Sequence, residues 1–339
     1  MRWLSGSVRR AARLTRTARQ AGHPGARCVA GWGLALGLLL GAGVASAERA
    51  YVTCQNGDAL AVIDLDGGAA EQTWSVPGNP AGIAVGKGAV YTVAPGAQGV
   101  RRHDPDGTVA AEVTLDGGPI GTALDAARGR LFVTDWYNAR LWVLDAATLE
   151  EQRVLETGAA PAGVALSRDG RWLATADRDA DRVSLFDAET LELKHAVTVG
   201  TRPFGLRFGP GDGLFVGNVG SNDVSVVDPV VGTVTATIPV GERPYGVTFT
   251  RDRAFVSNQY ENTVSVIDLE TLTEMARVEV GEYPEGIDTT ADETRIVVAN
   301  WFDNTLSIID ASTAEVLDSV ETCDGPRAFG NFLSGGGEG

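Results

Sequence analysis

One motif recurs along this chain at steps of about forty residues, and this repeat limits the fold more than any other feature. Segments that resemble FVSNQYENTVSVID end in an aspartate, and the steps between these aspartates are 40, 41, 42, 41, 40 and 42 residues. The aspartates are Asp64, Asp104, Asp145, Asp187, Asp228, Asp268 and Asp310. Self-similarity at this period indicates an array of equivalent supersecondary units.

A proline gives a second register that agrees with the first. It stands once in each unit, usually as Pro-x-Gly, at Pro80, Pro119, Pro161, Pro203, Pro244, Pro284 and Pro326. Between these marks lie four short segments rich in Val, Ile, Thr and aromatic residues, which we designate strands A to D. In the sixth unit they span 246–250, 254–257, 263–267 and 274–280. The sequence therefore predicts an all-β, seven-bladed β-propeller of four-stranded blades over residues 48–333.

The two ends of the repeat array predict how the ring closes. The first unit starts at a strand B, 50–53, and the chain finishes with a strand A, 327–333, so the C-terminal strand completes the first blade. Such closure removes two exposed sheet edges. Cys54 ends that strand B and Cys323 stands just before that strand A, which predicts a disulfide between them. Residues 334–339 are predicted to form a flexible tail.

The first 47 residues differ from the repeats. They contain seven arginines and no acidic residue, and an apolar run ends in Ala45-Ser46-Ala47. This order is typical of a secretory signal, so we predict cleavage after Ala47 and a periplasmic or extracellular protein. The alternative is an uncleaved membrane anchor.

Removal of residues 1–47 leaves 21 basic residues against 44 acidic residues, a formal net charge of −23. A field of this sign repels phosphate backbones, so nucleic acid is not an expected partner. We expect a monomer that does not associate with membranes after cleavage.

Three repeats carry a family resemblance. FVSNQYENTVSVID, VVANWFDNTLSIID and FVGNVGSNDVSVVD resemble the YVTN repeat of exported β-propellers, and weaker copies cover the rest of the array. The resemblance implies the propeller architecture, but YVTN relatives differ widely in function.

Two sets of side chains are predicted to lie on the face formed by the B–C and D–A loops. The residue ten before the repeat aspartate gives, in units three to seven, a polar ring at the channel mouth: Asp135, Asp177, Asn218, Asn258 and Asn300. Hydrogen bonds to the loop backbone explain these residues structurally, and a calcium ion or a polar ligand is the functional alternative. No cofactor is otherwise expected.

Aromatic and arginine side chains form the second set, which we predict to be the binding surface. Its members are Trp136, Tyr137, Arg202, Arg243, Tyr245, Tyr260, Trp301 and Phe302. Such residues dominate the energetics of interfaces. Units one and two carry small residues at these places, so a protein or small-molecule ligand is expected over units three to seven.

The function predicted on this basis is binding or scaffolding. The alternative is a periplasmic enzyme or an enzyme-associated propeller of the quinoprotein-dehydrogenase, lactonase or lyase kind, in which Asp135, Asp177 and Glu285 would act. No catalytic set or metal site is assigned, because the repeats contain only two histidines. One of them, His103, follows two arginines and is expected at the surface.

Overall fold

The computed structural model describes residues 48–86 and 88–335, so the predicted signal peptide lies outside the described residues. Seven sheets, numbered here as blades 1 to 7, are arranged in a ring. Blades 1 to 4 contain β1 (Arg49–Cys54), β2 (Ala59–Asp64), β3 (Ala69–Ser75); β4 (Gly82–Gly86), β5 (Ala89–Ala94), β6 (Gly99–His103), β7 (Val109–Thr114); β8 (Pro119–Asp125), β9 (Arg130–Asp135), β10 (Arg140–Asp145), β11 (Glu151–Glu156); and β12 (Pro161–Leu166), β13 (Trp172–Asp177), β14 (Arg182–Asp187), β15 (Leu193–Thr198).

Blades 5 to 7 repeat the same order, and a last short strand follows them. They contain β16 (Pro203–Phe208), β17 (Leu214–Asn218), β18 (Asp223–Asp228), β19 (Thr233–Pro239); β20 (Pro244–Phe249), β21 (Arg253–Asn258), β22 (Thr263–Asp268), β23 (Thr273–Glu279); and β24 (Pro284–Thr289), β25 (Arg295–Asn300), β26 (Thr305–Asp310), β27 (Val316–Glu321), before β28 (Phe329–Asn331). Two single-turn 3-10 helices, Pro95–Ala97 and Arg178–Ala180, lie in B–C loops. No helix in the described part of the chain is long and apolar enough to cross a membrane.

The repeat signatures each have a local physical cause. Asp64, Asp145, Asp187, Asp228 and Asp310 accept a hydrogen bond from the backbone N–H two residues on and so close the C–D turns. The glycine of Pro-x-Gly leaves room for the inner strand A of the next blade. A Cβ on Gly205 would lie 1.9 Å from the carbonyl oxygen of Tyr245. Glycine is therefore required where neighbouring A strands converge on the axis.

The hydrophobic core lies between the blades. Each cluster of buried side chains takes residues from adjacent sheets: Leu185 of blade 4 packs with Val216 of blade 5, and Phe255 of blade 6 packs with Val298 of blade 7. Central strands are consequently buried on both faces, whereas the outer D strands alternate between exposed and covered residues. Packing between neighbouring blades therefore provides most of the apolar burial.

The C-terminal segment closes blade 1, as predicted. It lies antiparallel to β1, with bridges between Ala50 and Leu333 and between Cys54 and Pro326. Its central residues, β28, also form a parallel ladder with β4 of blade 2, which the sequence did not indicate. Cys54 and Cys323 form the predicted disulfide, with a Cα–Cα distance of 5.7 Å.

The predicted tail begins where the segment meets β1. Ser334 donates its backbone N–H to the carbonyl of Arg49 and accepts the Arg49 N–H through its hydroxyl. Residues 336–339 lie outside the described part of the chain.

Candidate binding surface

The B–C and D–A loops lie side by side on one face of the ring. In blade 5 the N–H of Val219 donates to the carbonyl of Arg202, in blade 6 Gln259 donates to Arg243, and in blade 7 Trp301 donates to Tyr283. A side chain that follows strand B is thereby held next to the residue that precedes the proline. The predicted grouping of these loops on a single face is therefore present.

The predicted polar ring is buried inside the blades. Its members, Asp135, Asp177, Asn218, Asn258 and Asn300, are all inaccessible to solvent. Asn258 donates to Thr263 and Ser265 of the neighbouring strand, and Asn218 and Asn300 make equivalent bonds. These side chains do not line an open mouth, because each is held within its own blade.

The two aspartates of this ring accept several hydrogen bonds each. Asp135 takes the N–H groups of Gly118 and Tyr137 and also pairs with Arg140 at 2.6 Å. Burial alone would raise the pKa of the Asp135 carboxyl, but these donors hold it below its ordinary value. In Asp177 burial dominates and raises the pKa, although Ser184 donates at 2.6 Å. Both carboxylates use their oxygens to join strands and loops.

His103 also differs from expectation. It is buried rather than exposed, stacks on Trp74 with ring centroids 5.5 Å apart, and lies 3.0 Å from the hydroxyl of Thr92. Burial lowers the pKa of the imidazole and favours its neutral form. The arginines before it misled the sequence interpretation: Arg101, on the same face of β6 as His103, is itself buried and pairs with Glu112, whereas Arg102 faces the other side.

The predicted aromatic set divides into a central and an outer group. In the centre, the rings of Phe204, Tyr245 and Phe329 are in mutual contact, with centroids 4.5 to 5.5 Å apart, and Trp136 lies against Phe204. Tyr245 is only 2% exposed, so it is not a surface contact as predicted. We call Phe204, Tyr245 and Phe329 the axial plug, because they fill the channel below this face.

A buried polar network holds the axial plug in place. Arg327 donates to the hydroxyl of Tyr245 at 2.7 Å and lies 3.1 Å from the Glu285 carboxylate, which in turn accepts from Gln259. Burial raises the pKa of Glu285 despite the neighbouring guanidinium. Glu285 therefore holds Arg327 in place and so stabilises the axial plug that closes the channel. Sequence reasoning assigned no role to Phe329 or Gln259, because neither follows the repeat signature.

The outer group forms a continuous surface over blades 6 and 7. Tyr283 contacts Tyr260, Trp301 and Phe302, with ring centroids 5.7, 5.8 and 4.9 Å away. Tyr260 is 53% exposed and Phe302 is 59% exposed. We call these four residues the outer aromatic patch. Tyr137 and Arg202, two other predicted members, are exposed on blades 3 and 5.

The residue before the proline has an unusual backbone conformation. Asn79, Ala160, Arg202, Arg243 and Tyr283 all have φ between 51° and 61°, the left-handed region. In Arg202, Arg243 and Tyr283 the backbone N–H donates to a carboxylate or amide oxygen of the preceding B–C loop, which stabilises this conformation. Such positions favour glycine, and Gly325 occupies the equivalent place before Pro326. Large side chains at Arg243 and Tyr283 are therefore not demanded by the backbone.

A cavity of about 890 Å³ occupies the axis on the other side of the plug. The A strands line it, and the described residues leave it open on the opposite face, between A–B loops such as 125–128 and 167–170. Arg207 and Asp288, which depart from the small residues at equivalent positions, are joined across it by a 2.8 Å ion pair. The two departures from the repeat are visible in the sequence, whereas the cavity is not.

Comparisons with known proteins agree with the architecture. Residues 247–329 match the family model described as YNCE-like beta-propeller. Among curated proteins, a PE-PGRS family protein of Mycobacterium tuberculosis is 51% identical over 45 residues, which are 13% of this chain and 10% of that protein. The chain thus corresponds to a small part of that relative.

Three solved structures share the fold. Hydrazine synthase of Kuenenia stuttgartiensis matches with a TM-score of 0.67 at 16% identity, over 74% of this chain and 89% of that one. A functionally unknown protein of Desulfotomaculum acetoxidans matches with 0.73 at 14%, over 84% and 98%. Dihydro-heme d1 dehydrogenase NirN in complex with DHE matches with 0.61 at 14%, over 85% and 74%. The chain is a β-propeller, and these distant similarities extend to the fold alone.

Proposed function

We propose that this chain is an exported binding protein of the YVTN-repeat type that recognises a basic segment of a partner protein through the outer aromatic patch. The observation that supports this most is the unbroken contact of Tyr260, Tyr283, Trp301 and Phe302 at the surface. Exposed aromatic clusters of this kind mark interaction sites, and aromatic anchors contribute much of the binding free energy at interfaces.

Charge favours a basic partner. Glu242 and Glu282 are exposed, and their backbone carbonyls accept the N–H groups of Tyr260 and Phe302, so both acidic residues border the patch. The repeats as a whole carry a formal net charge of −23, because 44 acidic residues face 21 basic ones after residue 47. Attraction of this sign increases the rate of encounter with a basic segment and disfavours acidic ones.

The patch already holds one guanidinium of the chain itself. Arg243 stacks over Tyr260, with the guanidinium carbon 4.4 Å from the ring centroid, and donates to its hydroxyl at 2.8 Å. A cation held over an aromatic face is a favourable electrostatic contact. Lysine or arginine side chains of a partner can make the same contact with the exposed ring of Phe302.

Two buried donors at the patch are unsatisfied within the described residues. Trp301 Nε1 and Arg243 Nε have no hydrogen-bond partner. Buried polar groups are nearly always paired, so a water molecule is expected to accept from these atoms.

Export rests on two features. The first 47 residues have the order of a secretory signal, and Cys54 and Cys323 are bonded, as is usual in oxidising compartments. Fractionation of the native host should find the protein outside the cytoplasm, with Glu48 as its first residue. A cytoplasmic protein with an intact N-terminus would contradict export.

Enzyme association is the second candidate. The folds of hydrazine synthase and of the dehydrogenase NirN include propellers similar to this one. Among the described residues, no group of three or more His, Cys, Asp or Glu side chains has a metal-binding arrangement. This alternative would place the chain beside a catalytic partner, and the same outer aromatic patch would then be its contact.

Binding of a fluorescent Lys- and Arg-rich peptide to the purified exported protein tests the proposal. The wild-type protein should bind it more tightly than a Glu-rich peptide of equal length, and added salt should weaken the complex. Phe302→Ala should reduce affinity by about tenfold or more, which corresponds to about 1.4 kcal/mol.

Leu317→Ala provides the matched control, because Leu317 is similarly exposed but lies on the outer strand β27. Its affinity should equal that of the wild-type protein. Equal binding of both peptides, or equal losses in Phe302→Ala and Leu317→Ala, would refute the proposal.

A further inference from the structure

The axial cavity is a second site, separate from the outer aromatic patch and independent of the proposed function. We infer that it binds a small organic monocarboxylate, with Arg207 holding the carboxylate and the apolar wall holding the body of the molecule. The cavity volume of about 890 Å³ lies in the range of small-molecule sites. The axial plug closes one end, so a ligand enters from the face of the A–B loops.

The wall is divided into a spacious side and a polar side. Four residues after the proline, blades 2 to 4 carry Ala84, Ala123 and Ala165, whereas blades 5 to 7 carry Arg207, Thr248 and Asp288. The small side chains create the space, and the polar ones project into it from the opposite wall. A ligand with one polar end and an apolar body matches this division.

Arg207 is fixed before any ligand arrives. Its Nη1 donates to Thr248 Oγ1 at 2.7 Å and to Asp288 Oδ1 at 2.8 Å, and its Nη2 donates to Asn331. A guanidinium has five N–H groups, so these bonds leave Nε–H and one Nη2–H without a partner among the described residues. The side chain is 22% exposed where it lines the cavity. A carboxylate fits such an edge with two parallel hydrogen bonds.

Asp288 cannot take over the role of the ligand. Its oxygens already accept from Arg207, from the N–H of Thr289, and from the N–H groups of Phe332 and Leu333. The carboxylate therefore orients Arg207 and anchors the closing segment. The Arg207–Asp288 pair is neutral overall, so a carboxylate is held by the two hydrogen bonds to the free guanidinium edge. A dianion or a phosphate chain would add further uncompensated negative charge beside Asp288 in an acidic protein.

The site depends on ring closure. Asn331, Phe332 and Leu333 come from the C-terminal segment, whereas Arg207 and Asp288 come from blades 5 and 7. These groups meet only when the segment lies along β1. The rim carries Arg168 and Asp169, exposed neighbours of opposite charge on the A–B loop of blade 4, so the selection of an anion rests on Arg207.

The test is calorimetric titration of the full exported protein with octanoate and with phenylacetate, each compared with its primary amide. At least one carboxylate should bind at millimolar concentration or below with a stoichiometry of one. Its amide should bind about tenfold or more weakly, because a charge-assisted bond to arginine is lost. Arg207→Lys should weaken carboxylate binding by a similar factor, because lysine lacks the planar fork.

Two further variants keep the result interpretable. Ala123→Phe fills the spacious side without touching the ion pair and should abolish binding even if Arg207→Lys folds poorly. Arg251→Gln removes an exposed arginine on the same face but outside the cavity wall, and should leave binding unchanged.

Three results would overturn the inference. They are no saturable binding of either carboxylate at millimolar concentration, equal affinity for acid and amide, and binding that survives Ala123→Phe.

Discussion

Blades 2 to 4 and blades 5 to 7 share one backbone but differ at three positions around the proline that begins strand A. After the proline, Ala81, Ile120 and Ala162 contrast with Phe204, Tyr245 and Glu285. Four residues after it, alanine contrasts with Arg207, Thr248 and Asp288, and before it, Asn79, Gly118 and Ala160 contrast with Arg202, Arg243 and Tyr283. The small residues show what the propeller frame needs. The large and charged residues of blades 5 to 7 are therefore not needed to form the fold. Both candidate sites lie where these residues are concentrated.

The largest expected effect concerns the bond that closes the ring between these halves. Reduction of Cys54–Cys323, or its replacement by serines, frees a loop whose ends are separated by 269 residues. Chain entropy alone predicts a loss of about 5 kcal/mol in the free energy of unfolding. Differential scanning calorimetry should show a fall in Tm of about 10 °C. An unchanged Tm in the double serine variant would mean that the closing segment is held by its hydrogen bonds alone.

The second largest effect is expected from the buried network of Arg327 and Glu285 that holds the axial plug. Arg327→Met leaves the buried Glu285 carboxylate without its cation and should destabilise the protein by about 3 kcal/mol. Adding Glu285→Gln should restore part of this loss. In blades 3 and 4 the equivalent residues are Ile120 and Ala162, so Ile120→Ala should show only the loss of apolar packing.

The pH dependence of the same network provides an independent measurement. Burial raises the pKa of Glu285 above its ordinary value of 4.5, so the folded protein binds this proton more tightly than the unfolded chain. This contribution to stability is complete below about pH 4.5 and is lost as the pH rises through the folded pKa. Compared with the wild-type protein, Glu285→Gln should therefore lose less stability as the pH increases from 4.5. Parallel curves for the two proteins would contradict the raised pKa.

Trp136 and Trp301 occupy equivalent positions in blades 3 and 7 but should respond differently. Trp136 packs between Phe204 and Arg178, so Trp136→Ala should lower stability by about 2 kcal/mol. Trp301 belongs to the outer aromatic patch, so Trp301→Ala should leave the fold intact and remove about 2 kcal/mol of peptide binding. Urea denaturation and peptide anisotropy separate the two effects. Loss of binding in Trp136→Ala with unchanged stability would place the contact surface on blade 3 instead.

The smallest expected effect concerns the backbone strain of the residue before the proline, and it tests whether this strain is retained for function. Arg202 has φ of 54° and an exposed side chain, so Arg202→Gly should stabilise the fold by up to about 1 kcal/mol. Ala160→Gly, at φ of 51° in blade 4, should give a similar gain and serves as the control. A clear destabilisation by Arg202→Gly alone would show that this side chain supports the frame.

The repeat by itself determined the number of blades and the A-to-D strand order, and the two ends of the array determined the closing disulfide. The blades and their strands follow from local rules: alternation along strands and the return of one motif at a constant period. The disulfide follows from matching the strand that begins the array to the strand that ends it. The sequence also located the aromatic and arginine residues on one face, since loops between antiparallel strands alternate in side.

Only the tertiary structure decided which of those residues are available. Tyr245 and the polar ring are buried, Tyr283 joins Tyr260 to Trp301, and His103 faces inward. It also brought Arg207, Asp288 and Asn331 together across sequence separations of 81 and 124 residues. The burial of each side chain depends on the width of the channel that seven blades leave at the axis and on which side chains fill this channel. A local sequence pattern does not determine the width or the filling, because both result from the packing of all blades at once.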